Sequence, residues 1–341
     1  MTDLIARARA GDGEAFRELT EPYRRELQVH CYRMLGSVQD AEDTVQETLL
    51  AAWQAFGGYT AERASLRTWL YKIATNRCLN ALRSGRRRAA RGWDVPAVKP
   101  PEATRLGEVV WLQPYPDALL EDVAGATSGS GAPLGPEARF EQAESISLAF
   151  VTALQVLPPR QVAVLILRDV LGFHASEVAD MLEATVESVN SALKRARASL
   201  RRQLPPGDGR EPPPAAGSPS EDAIVTRFVS AWQSADLDAL VALLTDDAFV
   251  SMPPMPFEYA GRDAVVSLVA SLFGSGRRFD LVPTRANGQP AFGAYLRSSD
   301  GIRHGIGLYV LTLSGDRIRA MTRFEASVLP WFGLPRSLPS R

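Results

Sequence analysis

The fold is decided by residues 40–76, which read DAEDTVQETLLAAWQAFGGYTAERASLRTWLYKIATN. Residues 40–56 predict an amphipathic helix, because apolar residues recur every three or four positions: Ala41, Val45, Leu49, Ala52, Trp53 and Phe56. Asp40, Asp43 and Glu47 fall together on another side of the same helix. An acidic helix face is most often a solvated surface, and the alternative is a docking face for a basic partner. The periodicity alone leaves both interpretations open.

The following helix, residues 65–83, has a polar and basic face. Its predicted buried side is formed by Leu66, Trp69, Leu70, Ile73 and Ala74. The other side carries Lys72, Asn76, Asn80 and Arg83 at spacings of four, four and three, and Arg86, Arg87 and Arg88 extend the positive charge. Lysine and arginine neutralise phosphates, and asparagine bonds the edges of bases. The loop at residues 57–63 carries Tyr59, on whose ring an unstacked base could rest. Together these features predict a surface for separated DNA strands.

A second helical block, residues 140–204, has the pattern of a helix-turn-helix. The residues LPPRQ at 157–161 start a helix that Gly172 ends, and Ser176 is predicted to cap the next, short helix. After a turn at 183–185, a longer helix has apolar residues at intervals of three or four: Val186, Val189, Leu193, Ala196 and Leu200. Its opposite face is polar and its C-terminal end is basic, as in a helix that enters the major groove. An ordinary three-helix packing unit is the alternative.

These two blocks resemble regions 2 and 4 of the sigma-70 family, in its extracytoplasmic function (ECF) group. The resemblance to region 2 rests on residues 40–47 (DAEDTVQE) with Trp53 and Phe56, and on residues 66–76 (LRTWLYKIATN). The resemblance to region 4 rests on LPPRQ at 157–161, LGF at 171–173 and KRAR at 194–197. His174 stands where family members normally have Tyr or Leu, a departure that does not threaten the fold.

The resemblance implies a transcription initiation factor built from two all-α modules. In the family, the acidic helix docks on the coiled coil of the polymerase β′ subunit, which assigns polymerase binding to Asp40, Asp43 and Glu47. The loop and the following helix capture and melt the −10 element, which assigns this role to Tyr59, Lys72, Asn76, Asn80, Arg83, Arg86 and Arg87. Region 4 reads the −35 element as duplex, which assigns this role to Thr185, Glu187, Ser188, Asn190, Ser191, Lys194, Arg195 and Arg197. The expected partners are core RNA polymerase, through its β′ and β subunits, and promoter DNA; an anti-sigma factor or a small-molecule ligand stays open.

Two proline-rich linkers divide the chain. The predicted organisation is region 2 at residues 1–91, a linker at 92–139, region 4 at 140–204, a second linker at 205–220 and a further domain at 221–334. The first linker is too apolar for an inert tether and is predicted to dock on something, because it contains Val109, Val110, Trp111, Leu112, Tyr115, Leu119 and Leu120. In the family this linker threads toward the polymerase active-site cleft, which would account for these residues.

The C-terminal domain is predicted to be α+β. Helical patterns at 221–234, 237–244 and 262–273 precede residues that alternate in strand fashion, with turn signals at Asn287-Gly288 and Gly315-Asp316. It resembles the SnoaL-like (nuclear transport factor two-like) fold, a cone of helices against a bent sheet. Some members of that fold are isomerases or cyclases, and the residues that could line such a cone here are Tyr259, Asp263, Arg285, Tyr295 and His304. No paired base is visible, so His304 is interpreted as a hydrogen-bonded residue on a sheet face, and the domain is predicted to regulate and not to catalyse.

Length and composition fit this organisation. The 341 residues exceed one hydrophobic core, and a net charge of −1 hides local acidic and basic faces. Two cysteines, Cys31 and Cys78, make no disulfide framework, and no apolar run or signal peptide points to a membrane or to export, so we expect a cytoplasmic protein. No cofactor, metal site or catalytic residue is expected.

Two other functions compete with the favoured one. A stand-alone helix-turn-helix regulator would bind duplex DNA without polymerase, and it leaves the acidic helix unexplained. A SnoaL-type isomerase or cyclase fused to a DNA-binding module would need a paired base and acid inside the cone.

Overall fold

The computed structural model describes residues 2–84, 92–93, 99–107, 111–120, 145–203, 211–274, 276–298 and 301–339. The chain forms two compact units. The helical unit comprises Met1–Arg87 and Ala118–Pro205, and the sheet unit comprises Arg88–Asp117 and Pro206–Arg341. The first linker is therefore divided between the two units.

The first half of the helical unit is a bundle of four helices: α1 (Thr2–Arg9), α2 (Gly13–Leu35), α3 (Val38–Ala55) and α4 (Leu66–Arg83). Asp12, Ser37 and Ser65 precede the last three of these, and each side chain accepts a backbone N–H from the first turn. Helix α2 ends at Gly36, whose φ of 66° lies in the left-handed region that glycine adopts without strain. Helices α3 and α4 both pack on α2, so the acidic and basic helices predicted from the sequence belong to one bundle.

The second half of the helical unit contains the predicted helix-turn-helix. Its helices are α5 (Leu148–Gln155), α6 (Pro159–Leu165), α7 (Ala175–Leu182) and α8 (Val186–Gln203), and the π-helical segment Ile166–Val170 follows α6. The turn between α7 and α8 passes through Glu183, which has a left-handed φ of 51°. Helices α7 and α8 pack on each other, and α8 also packs on α6.

The prediction that Ser176 caps α7 is wrong. Helix α7 begins at Ala175, and His174 holds the N-cap position. The carboxylate of Glu177 accepts the backbone N–H of His174 at 2.8 Å. The first turn is thus closed by a side chain that reaches back from the third helical residue, while Ser176 lies exposed.

The sheet unit contains one twisted sheet with strand order β1-β3-β2-β7-β6-β5-β4, and β8 pairs with β6. Its strands are β1 (Arg105–Leu106), β2 (Leu244–Met252), β3 (Met255–Ala260), β4 (Phe279–Ala286), β5 (Gln289–Arg297), β6 (Arg303–Ser314), β7 (Arg317–Phe324) and β8 (Ser337–Leu338), and its helices are α9 (Pro219–Ser234), α10 (Leu237–Ala242) and α11 (Arg262–Gly274). Neighbouring strands are antiparallel except β2 and β7, which are parallel. The helices cover an aromatic core in which Trp232 lies 5.2–5.5 Å, between ring centroids, from Phe228, Phe273 and Tyr309. The predicted α+β architecture is confirmed.

The predicted turn between β4 and β5 is also confirmed. Asn287 and Gly288 have φ angles of 56° and 73°, and Ala286 pairs with Gln289 across the turn. Positive φ at both central residues is the geometry of the tight hairpin turn that the Asn-Gly pair favours.

Part of the first linker completes the sheet. Its strand β1 lies at the edge and pairs antiparallel with β3, with Arg105 opposite Glu258 and Leu106 opposite Phe257. Trp111 is half-buried, and Leu112 and Tyr115 are buried, so these apolar residues dock as predicted. Val109 and Val110 lie outside the described residues. Within the described ranges, no helix is both long and apolar enough to cross a membrane.

Candidate polymerase and nucleic-acid interfaces

Helix α3 exposes the acidic face that the sequence predicts. Asp43 and Glu47 are exposed, and Asp40 is half-buried. The residues Ala41, Val45, Ala52 and Phe56 are buried on the opposite side, whereas Leu49 and Trp53 are half-buried. Val38–Ala55 contains four acidic residues and no lysine or arginine. The face therefore offers concentrated negative charge to a basic partner.

Helix α4 carries the opposite charge. Leu66–Arg83 contains four basic residues and no acidic residue. Lys72 and Asn76 are half-buried on this helix, and Asn80 and Arg83 are exposed. The Arg83 guanidinium donates to the side-chain oxygen of Asn80 at 3.2 Å. Arg86, Arg87 and Arg88, which were predicted to extend this surface, lie outside the described residues.

Tyr59 is placed differently from the other residues predicted for the −10 element. Its ring is buried and stacks on Phe56 at a centroid distance of 5.5 Å, and its hydroxyl donates to the carbonyl of Ala64. Arg9 donates to the backbone carbonyl of Tyr59 at 2.6 Å. In this conformation Tyr59 belongs to the aromatic core of the bundle and presents no open ring face, because Phe56 and Trp69 already flank it.

Sequence reasoning missed a buried charged cluster between α2 and α4. The Arg67 guanidinium donates to both carboxylate oxygens of Glu26, at 3.1 and 3.2 Å, and lies over the rings of Tyr71 and Phe173. Burial raises the pKa of Glu26, and the charge of Arg67 opposes that rise. Next to this cluster, His30 contacts the hydroxyl of Thr75 at 2.9 Å. Glu26 and Arg67 are 41 positions apart, so no local pattern reveals the pair.

The helix-turn-helix block packs against α2 and α4 within the helical unit. The Asn76 side-chain amide donates to the carbonyl of Met181 at 3.4 Å, and Tyr71 and Phe173 contact edge to face at 5.3 Å. Arg33 of α2 donates to the backbone carbonyl of Ser145 at 3.0 Å. A residue predicted to read the −10 strand is thus engaged by helix α7 of the second module.

Helix α8 presents the predicted recognition face to solvent. All of the residues assigned to the −35 element are exposed: Thr185, Glu187, Ser188, Asn190, Ser191, Lys194, Arg195 and Arg197. Val189, Leu193 and Ala196 are buried as predicted, whereas Val186, predicted to be inward, is 38% exposed. The face combines hydrogen-bonding side chains near its N-terminus with cations further along, as a major-groove helix requires.

Two of these residues have structural partners as well. The Thr185 hydroxyl accepts the backbone N–H of Ser188 at 3.2 Å and so caps α8. Arg197 makes a bidentate ion pair with Asp169, at 2.6 and 2.8 Å. The Arg197 pair ties α8 to the Ile166–Val170 segment, whereas the Thr185 bond closes the first turn of α8 itself.

The sheet unit binds the linker through hydrogen bonds to the backbone of Tyr115 and to the side chain of Asp117. Tyr115 and Asn287 form reciprocal bonds: the Tyr115 N–H donates to the Asn287 side-chain oxygen, and the Asn287 N–H donates to the Tyr115 carbonyl, both at 2.8 Å. The Asp117 carboxylate accepts the Gly288 N–H at 2.8 Å and the Arg285 guanidinium at 3.3 Å. Arg285 also donates to Glu221 at 2.8 Å. We call Tyr115, Asp117, Glu221, Arg285 and Asn287 the linker clasp.

Upstream of the clasp, the linker is held along strand β3. The N–H groups of Thr104 and Gly107 donate to the carbonyls of Glu258 and Pro256, at 2.9 and 2.7 Å. The Tyr259 hydroxyl donates to the carbonyl of Pro101 at 3.0 Å. These bonds and the clasp hold the linker at both ends of its docked part.

The residues predicted to line a pocket do not converge on one. Tyr259 and Arg285 hold the linker, and the Tyr295 hydroxyl donates to the carbonyl of Pro335 at 2.8 Å. His304 is exposed and its Nδ1 lies 3.3 Å from the Ser337 hydroxyl, as the hydrogen-bonded interpretation predicts, and Asp263 is exposed in the first turn of α11. Among the described residues, no group of three His, Cys, Asp or Glu side chains is placed to hold a metal ion.

Comparison with known proteins gives three family matches. Residues 19–88 match sigma-70 region 2, residues 147–200 match sigma-70 region 4, and residues 225–325 match the SnoaL-like domain. The chain is 43% identical over 338 residues to the ECF RNA polymerase sigma factor SigG of Mycobacterium tuberculosis, an alignment that covers 97% of this chain and 86% of that protein. It is 28% identical over 260 residues to the ECF sigma factor SigJ of the same species, covering 74% of this chain and 71% of SigJ. The crystal structure of M. tuberculosis SigJ has a similar fold, with a TM-score of 0.57 and 22% identity over 90% of this chain and 95% of that one.

Proposed function

Since the chain belongs to the ECF group of sigma-70 RNA polymerase sigma factors, we propose that three of its surfaces divide the work of initiation and that its SnoaL-like domain controls them. As an ECF sigma factor the chain binds core RNA polymerase and directs it to promoters, and it is not an enzyme. We assign polymerase docking to α3, capture of the −10 strand to α4 and reading of the −35 duplex to α8. Its place of action would be the cytoplasm.

The observation that carries the assignment is the opposite charge of two consecutive helices in one bundle. Helix α3 has four acidic and no basic residues, and α4 has four basic and no acidic residues. A single surface that bound DNA would not place a fully acidic face beside it, because carboxylates repel phosphates. Two partners of opposite charge account for both helices. Polymerase binds the acidic face of α3, and DNA binds the basic face of α4.

The two DNA modules suit a protein that binds its promoter only on polymerase. Each surface is small, so each supplies modest affinity, and a tether between them raises the effective concentration of the second contact after the first has formed. The contact between Asn76 and Met181 engages part of the −10 surface. We infer that this contact opens when polymerase and promoter DNA bind.

Control by the SnoaL-like domain is proposed to act through the linker. In the family this linker threads toward the polymerase active-site cleft, and here its buried residues and backbone are bonded to the sheet unit. The same segment cannot occupy both places. The sheet unit would therefore compete with polymerase for the linker, and anything that loosens the clasp would favour initiation.

In vitro transcription tests the proposal. Core RNA polymerase is combined with the full chain on a library of promoter fragments, and transcripts that depend on the chain are counted. Charge reversal at Asp43 and Glu47 is expected to abolish association with core polymerase. Alanine at Lys72, Asn76 and Asn80 is expected to leave association intact but to prevent opening of the −10 region, followed by permanganate reactivity of unpaired thymines. Association that survives the charge reversal, or strand opening that survives the alanines, would contradict the assignment.

A further inference from the structure

Helix α3 exposes a large apolar side chain that its packing does not explain. Leu50 is 58% exposed, and it lies outside the buried stripe through which α3 packs on its bundle. A single exposed leucine on a protein surface is ordinary. The surroundings of Leu50 are what set it apart.

Leu50 lies at the centre of the acidic face. It follows Glu47 by three positions and Asp43 by seven, and it precedes Gln54 by four, spacings that place all four residues on one side of a helix. Asp43, Glu47, Leu50 and Gln54 are all exposed. The result is an apolar side chain surrounded by acidic and amide groups.

The carboxylates around Leu50 are not neutralised within the described parts of the chain. Asp43 and Glu47 form no ion pair there, and neither does the nearby Glu42. Other acidic residues of the helical unit do find arginines, for example Asp12 with Arg7 and Asp169 with Arg197. A cationic partner could therefore bind the face around Leu50 without first breaking an ion pair among the described residues.

We propose that Leu50 is the apolar anchor of the polymerase-docking face, inserting into an apolar depression of core RNA polymerase that is rimmed by cationic side chains. The inference rests on the proposed role of α3 and adds a residue that the acidic motif does not contain. An apolar centre within a polar rim is the common arrangement of binding energy in protein interfaces, because the rim excludes water from the centre. Because this face is acidic, the side chains at the rim of the partner's depression are expected to be cationic.

The two kinds of group would contribute differently to binding. Carboxylates on the rim accelerate association and lose their effect as salt screens them. Burial of a leucine side chain is insensitive to moderate salt and slows dissociation. Salt dependence therefore separates Leu50 from its acidic neighbours.

The experiment measures the affinity of the full chain for core RNA polymerase at low and moderate salt. Leu50→Ala is expected to weaken binding about tenfold or more at both salt concentrations, as expected for the loss of a buried leucine side chain. Asp43→Asn and Glu47→Gln are expected to weaken binding mainly at low salt. Leu50→Met keeps the apolar volume and is expected to retain most of the affinity. Ile302 of the sheet unit, an apolar residue that is 39% exposed and lies outside this face, gives the control Ile302→Ala, with little expected effect.

Two results would overturn the inference. One is unchanged affinity of Leu50→Ala while the acidic variants bind poorly, which would leave the docking role of α3 intact and remove Leu50 from it. The other is a loss in Leu50→Met as large as in Leu50→Ala. Failure of the unaltered chain to bind core polymerase would instead contradict the proposed function itself. Helical content and thermal unfolding of each variant show that the exposed substitutions leave the fold unchanged.

Discussion

The guanidinium of Arg67 is the cationic partner of Glu26, and its loss would leave a buried carboxylate without charge compensation. The side chain of Glu26 is 8% exposed and that of Arg67 is 33% exposed. We expect Arg67→Ala to lower the free energy of unfolding by about 2 kcal/mol, less than for a wholly buried pair because Arg67 is partly solvated. Chemical denaturation followed by far-UV circular dichroism measures the change.

A second substitution separates charge from packing at this site. In Arg67→Ala the remaining cost comes from the buried charge of Glu26, so adding Glu26→Gln is expected to recover part of the lost stability. Stability of the single variant is also expected to rise on mild acidification, because the pKa of Glu26 is raised in the folded state and protonation removes the charge. A double variant less stable than the sum of the two single changes would contradict this account.

His30 predicts a pH dependence of the helical unit. Burial, with the charges of Arg33 and Arg67, lowers the pKa of His30 from 6.5 to about 3. The folded state therefore binds fewer protons than the unfolded state between these values, and the stability contributed by neutral His30 is present above pH 6.5 and lost as pH falls. At pH 5.5 the loss is on the order of 1 kcal/mol. His30→Gln is expected to flatten the stability profile between pH 7 and 5, and an unchanged slope would exclude His30 as its source.

At the scale of single elements, different residues of helix α8 are expected to contribute to overall DNA affinity and to the preference for particular base pairs. Lys194→Ala is expected to weaken duplex binding by holoenzyme on every promoter and to reduce the slope of log affinity against log salt by about one, because a phosphate contact is lost. Asn190→Ala is expected to cost about 1–3 kcal/mol of discrimination at one base pair and to leave the salt slope unchanged. Titrations on variant −35 sequences at several salt concentrations measure both. The exposed Asp238 on α10, changed to Asn, serves as the control.

The elements themselves could be predicted because their signals are local. The apolar periodicity of α3, α4 and α8 determines which side of each helix is buried, and the Asn287-Gly288 pair determines the hairpin between β4 and β5. Prediction failed where the outcome depends on tertiary packing and not on a local periodic pattern. Tyr59 has the composition of a loop aromatic, but Phe56 and Trp69 enclose it, and the clasp joins Tyr115 to Asn287 across 172 positions of sequence.

At the scale of the whole molecule, the linker clasp predicts an inhibited protein that can be activated by substitution. Asp117→Asn removes the ion pair that holds the end of the docked linker and leaves the Arg285–Glu221 pair in place. The pair is partly solvated, so we expect a shift of roughly 1 kcal/mol toward the released linker and a rise in transcription of about fivefold. Multi-round transcription with core polymerase measures it, and Asp222→Asn on α9 provides an exposed charge-matched control. Activity equal to or below that of the unaltered chain would contradict control through the linker.

The edge strand β1 has a consequence for which promoters the protein accepts. A flexible segment spans a distance that grows with the square root of its free length, so residues paired into a sheet no longer contribute to that span. With β1 and the clasp formed, fewer residues are left to bridge the −10 and −35 modules. The docked form would therefore tolerate a narrow range of base-pair separations between the two promoter elements, and undocking would widen that range. The range of promoter spacings that the protein accepts would then depend on whether strand β1 is formed.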